Sequence, residues 1–155
     1  MKSFDELGIT HGEHASMVQV RNLFASGTIM HSPTNVELPS GSAFYMGSAC
    51  FRVSLEEASS GALMCIGGWI KAFELGIVDV HAPYETLVAE EHERAIIAFV
   101  ADAEGGLHRL FHPDISWSRI TPAVVARAID AFLEQGSVDW DAIATAAGQP
   151  ALILH

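Results

Sequence analysis

The stretch SLEEASSGALMCIGGWIKAFELG, residues 54–76, decides how the rest of the chain has to be arranged. Ser54 followed three positions later by Glu57 is a capping box, and it predicts a helix starting there. Gly76 stands where a left-handed C-terminal cap would sit, after a last turn that carries Lys71. Between these ends, Ala58 to Ile70 contains no ionisable side chain other than Cys65. Leu55, Ala58, Ala62, Cys65, Trp69 and Phe73 fall on one stripe, and Leu63, Met64, Ile66 and Ile70 widen it beyond the apolar face of a surface helix. The reading is a central buried helix over 54–76, covered on several sides by the remaining chain or by a second copy of it.

The totals bound what surrounds that helix. A chain of 155 residues forms one domain, 1–155, around one core. Half of the residues are hydrophobic and only 17% are charged, an apolar-rich balance for a chain of this size. The uncharged run falls short of the roughly 18 to 20 residues that a membrane span needs, so no membrane association is expected. Surplus apolar surface then points to burial between subunits, a homo-oligomer and most simply a two-fold homodimer. Nineteen acidic residues against eight basic ones give a formal charge of −11. That field repels phosphate backbones, and no Lys/Arg cluster offsets it locally, which excludes nucleic acid. It is compatible with simple solubility or with a basic protein partner. The opening MKSFDELGITHGEH has no apolar signal segment, so a cytoplasmic location is the expectation. Cys50 and Cys65, without paired spacing, then read as reduced thiols, Cys65 as a small core hydrophobe.

Along the chain, Phe4, Leu7 and Ile9 are available to dock a polar N-terminus. GEHASMVQVRNLFAS, 12–26, reads as a helix stopped by Gly27. Pro33, Pro39, Gly41 and Gly47 then exclude a long helix and predict short strands, with a turn at Pro39-Ser40-Gly41 and a further strand at Ala49–Val53. After the central helix, IVDVH reads as a strand ended by Pro83. Val88, His92, Ala95, Ile96, Phe99 and Val100 recur at helical spacing and favour a helix from about 83 to 101. Glu104-Gly105-Gly106 between IIAFVAD and LHRLF keeps a hairpin over 95–111 open as the alternative. Thr121 with Pro122 starts a helix that ends at Gly136, and a last short helix runs from Asp139 to Gly148. The fold class expected is α+β, helix-dominated, with short strands in the first third and C-terminal helices.

Eight histidines are the compositional oddity. His108, His112 and Asp114 share a face whether the local structure is strand or helix, and two imidazoles with a carboxylate suit zinc or iron(II). His11 and His14 form a second, HxxH pair, with Glu13 as a supporting carboxylate or base. A metal-dependent hydrolase or oxygenase built on the first set would use Glu13 or Glu104 as general base on a metal-bound water. A metal-free acid–base enzyme would set histidine beside Phe44, Tyr45 and Trp69 around a small apolar substrate. Cys50 lies in strand context, and no nucleophile elbow occurs in the chain. Gly67-Gly68 lacks the surroundings of a phosphate loop and reads as a close approach by another backbone, in the same chain or a symmetry mate.

The tail, Asp139 to Pro150, resembles the first helix and turn of a helix-turn-helix motif through Ile143, Ala144 and Gly148. The chain stops at His155 without a recognition helix, so the motif is expected to serve packing. The leading expectation is a small acidic oligomeric binding protein that acts on a protein partner or small ligand. The metal-dependent enzyme stands second.

Overall fold

The computed structural model describes residues 1–31, 43–44, 51–52, 62–76, 90–115 and 120–150. Its body is helical. Helix α1, Phe4–Leu7, is held at its start by a reciprocal Ser3–Glu6 capping box. Helix α2, His11–Ala25, starts from a second such box between Thr10 and Glu13. Ile66–Glu74 forms α3, Glu90–Ala101 forms α4 and Gly105–Phe111 forms α5. Helix α6, Pro122–Gln135, has Thr121 as N-cap, proline in its first turn and a left-handed Gly136 at its end, as the sequence predicts. Helix α7, Trp140–Ala146, is capped by Asp139.

Two expectations are corrected here. The α+β reading gives way to a helical fold in which helices pack on helices. Strand in the described residues amounts to β1 Met30–His31, β2 Ala43–Phe44, β3 Phe51–Arg52 and β4 Ala62–Met64. These pair in the order β1-β2-β4-β3, with β3 antiparallel to β4 and the other two pairings parallel. Among the described residues these segments hold two or three residues each and form no sheet layer that covers the core, which is built from helices. The turn at Pro39–Gly41 and the strand expected at 77–81 lie outside the described residues.

The second correction concerns the central helix. It does not run over 54–76: Ala62–Met64 is extended and paired, Cys65 is the N-cap with an extended backbone, and the helix begins at Ile66. An apolar run such as ALMCI has no periodicity that separates buried strand from buried helix, so partners distant in the chain decide. Ser54 and Glu57 lie outside the described residues. The hairpin alternative over 95–111 is also removed, because Glu90–Ala101 and Gly105–Phe111 are both helices.

Helix α3 is nonetheless the centre of the core. It packs against α2 on one side and α4 on another, while α2 also lies on α6, and α5 and α7 rest on α6. Seven of its residues, including Trp69, Ile70 and Phe73, are buried. Trp69, Trp140, Phe24, Phe111 and Phe132 are the largest fully buried side chains, and all belong to one continuous cluster. Gly67 marks a close helix crossing. A Cβ there would stand 2.7 Å from Cγ2 of Val100 and 3.0 Å from the Phe111 ring, so side chains of α4 and α5 in the same chain approach it, not the backbone that the sequence suggested. Gly106 is tighter still, since its Cβ would reach within 2.0 Å of the Gly136 carbonyl oxygen and bring the start of α5 against the end of α6.

Among the described residues, apolar side chains are largely buried within the chain. Met1 and Ile97 are the large hydrophobic residues left exposed among those described. No helix among the described residues is long and apolar enough to cross a membrane.

Candidate functional site

Lys71 is the one charged residue inside the apolar run of α3, and a largely covered ammonium needs partners. It finds them on two elements. Its Nζ donates to Oε2 of Glu13 at 2.9 Å and lies 3.3 Å from Oε2 of Glu74 one turn further along α3. The Phe99 ring of α4 lies beneath it, 5.1 Å from Nζ to centroid, a cation–π distance. The Glu13 carboxylate is engaged through both oxygens: Oε1 accepts the Thr10 backbone N–H at 3.0 Å while Oε2 takes Lys71. Burial alone would push the Glu13 carboxyl up, but the Thr10 N–H and Lys71 together outweigh it and hold it below the ordinary value. The reverse holds for Lys71, where burial is outweighed by Glu13 and Glu74 and the ammonium is held more firmly protonated.

This ion pair lies in the wall of a cleft of about 900 Å³. Asp5 and Glu6 of α1 border one side, and Asp102 and Glu104, at the junction of α4 and α5, border the other. Leu7, Phe99 and Leu107 supply apolar surface, and Ala95, Ala98 and Gly106 keep the space open. The lining therefore holds five carboxylates, those of Asp5, Glu6, Glu13, Asp102 and Glu104, against the single ammonium of Lys71. Asp5, Asp102 and Glu104 form no ion pair with another described residue. Glu6 is held below its usual carboxyl value chiefly by the Ser3 backbone N–H and hydroxyl. The arrangement can attract and hold positive charge.

The residues singled out from the sequence are distributed differently. His108 and His112 do come together: their rings stack at 4.3 Å between centroids with an 18° tilt, and both are exposed. Asp114 lies exposed beyond the end of α5, and no set of three or more His, Cys, Asp or Glu among the described residues is arranged to hold a metal. His11 packs edge-on against the Phe4 ring at 5.4 Å. His14 places Nε2 3.1 Å from the Lys2 carbonyl oxygen, so its ring secures the N-terminal segment. Glu13 accepts the Thr10 N–H through Oε1 and Lys71 through Oε2 in the wall of the cleft, and Glu104 borders the cleft as the N-cap residue of α5. Trp69 is wholly buried; Tyr45 and Cys50 lie outside the described residues, and Phe44 lies in β2. In the tail, Trp140 is buried and donates from Nε1 to the Arg109 carbonyl at 2.7 Å, which makes that segment a packing element.

Lys71, Asp5, Glu6 and Asp102 escaped the sequence reading. The available signal was Lys71 itself, a lone cation in a stretch too apolar to leave it unpaired. Compared with family models, curated proteins and solved structures, the chain matches none.

Proposed function

We propose that the chain is a binding module whose cleft takes a cationic ligand, foremost a Lys- or Arg-bearing segment of a partner protein. The observation that carries this reading is the charge of the lining. Once Lys71 is set against Glu13 and Lys2 against Glu6, the carboxylates of Asp5, Asp102 and Glu104 remain around one space. An overall charge of −11 extends the same attraction outward and steers a basic partner during encounter. The volume, about 900 Å³, lies within the range of ligand clefts and would admit a few side chains of a peptide. Leu7, Phe99 and Leu107 suit the aliphatic stems of lysine and arginine, whose charged ends would reach the carboxylates at the rim.

The test is a fluorescence titration with a labelled octalysine peptide and a labelled octaglutamate peptide of equal length. The reading expects saturable binding of the first alone, weakening as salt is raised across the range in which the Debye length falls below about 10 Å. Absence of saturable octalysine binding, or equal binding of both peptides, would overturn it.

A further inference from the structure

The histidine pair at the end of α5 lies apart from the interactions that build the cleft. We propose that His108 and His112 form a two-imidazole site for a borderline divalent metal ion, Cu(II) foremost, with Ni(II) and Zn(II) behind it. The two residues are four apart in the last turn and C-cap of Gly105–Phe111, so their side chains leave the helix on one face. Both are exposed, and their rings lie nearly parallel, 4.3 Å apart.

The hydrogen bonds determine which nitrogens are free. The His108 carbonyl oxygen receives the His112 backbone N–H at 2.9 Å and also lies 3.1 Å from Nδ1 of His112. A carbonyl oxygen can only accept, so Nδ1 of His112 carries the proton of that contact. Its Nε2 is then left with a lone pair on the far side of the ring from the backbone. This is how a carbonyl partner fixes the tautomer of a metal-binding histidine. The His108 ring makes no hydrogen bond with another described residue, so it is free to offer a nitrogen.

Two cis imidazole nitrogens at about 2.0–2.1 Å stand roughly 2.9 Å apart on a tetragonal Cu(II) ion and about 3.3 Å apart on a tetrahedral Zn(II) ion. The 4.3 Å separates the centroids of nearly parallel rings whose in-plane lone pairs run side by side, so shared ligation requires the rings to swing toward one another about χ1 and χ2, a motion open to two exposed side chains. No third protein ligand joins them among the described residues, so the remaining positions fall to water or to a donor on another molecule. A site with two nitrogens and open positions binds reversibly, and its preference follows the general order in which Cu(II) exceeds Ni(II) and Zn(II).

The experiment uses the untagged chain, stripped of metal with a chelator and titrated with Cu(II) and separately with Zn(II) in a non-coordinating buffer. His108→Ala and His112→Ala are each expected to weaken Cu(II) binding by about a hundredfold, because either change removes the chelate. His11→Ala/His14→Ala is expected to leave it unchanged. Electron paramagnetic resonance of the Cu(II)-loaded wild-type chain should show coupling to two imidazole nitrogens. Binding that survives either single substitution, or a wild-type spectrum without two coupled nitrogens, would overturn the proposal. The spectrum alone decides even if a variant fails to fold.

Discussion

Nζ of Lys71 and Oε2 of Glu13 meet at 2.9 Å although the residues are 58 apart in the chain, and this contact joins the first turn of α2 to the core helix α3. It ties the most apolar element of the protein to the acidic cleft beside it.

A double-mutant cycle measures that tie. Glu13→Gln keeps an acceptor for the Thr10 N–H but leaves Lys71 with Glu74 alone, and a loss of about 1–3 kcal/mol in unfolding free energy is expected. Lys71→Met leaves the largely buried Glu13 carboxylate without its cation, at a similar expected cost. The double variant should be less destabilised than the sum, by about 1 kcal/mol. Urea denaturation provides the measurement, and strict additivity would show that the pair is uncoupled.

The pH dependence follows from the same contact. Glu13 is held below its ordinary value of 4.5, so its contribution is present above that value and is lost as pH falls through the lower folded-state one. Lys71 is held above 10.5, so its contribution is complete below that value and is lost as pH rises through the higher folded-state one. The pair should therefore contribute a plateau across neutral pH that declines at both extremes. Thermal unfolding scanned against pH should show the acid decline becoming shallower in Glu13→Gln; an acid limb identical to the wild-type one contradicts the assignment.

Two glycines test the packing. At Gly67 the new methyl group of an alanine meets Val100 and Phe111, side chains able to shift, and a cost of about 1–3 kcal/mol is expected. At Gly106 it meets the backbone carbonyl of Gly136, which cannot move without displacing the end of α6. Gly106→Ala should accordingly be the more damaging change when the two are compared by chemical denaturation. The opposite order would mean that α5 and α6 do not meet as closely as described.

How much of this was legible in the residues depended on how local the cause was. Thr121, Pro122 and Gly136 bound α6 by interactions within one turn, and the helix forms where they indicate. Thr10 and Glu13 carried an equally local capping signal, which sets the start of α2 at His11. Ala62–Met64 could not be read this way, because its conformation depends on pairing with Ala43–Phe44 and Phe51–Arg52. The His108–His112 stack was foreseeable from a spacing of four. The cleft was not, since its carboxylates come from three separate parts of the chain, α1, α2 and the α4–α5 junction, and converge only in the folded body. Glu13, read from the sequence as a supporting carboxylate or base, accepts the Thr10 N–H and the Lys71 ammonium, a pairing that only the packing of α2 on α3 reveals.

The most direct test of the binding account is isothermal titration of octalysine into three proteins. These are the wild-type chain, Asp102→Asn/Glu104→Gln at the cleft, and Asp114→Asn/Asp141→Asn at exposed positions outside it. All three should keep the fold, because none of these side chains lies in the core. The account predicts that the cleft pair weakens binding about five- to tenfold, while the remote pair, with the same loss of total charge, changes it by less than about twofold. Equal weakening by both pairs would show that octalysine responds to overall charge alone and would contradict a site in the cleft.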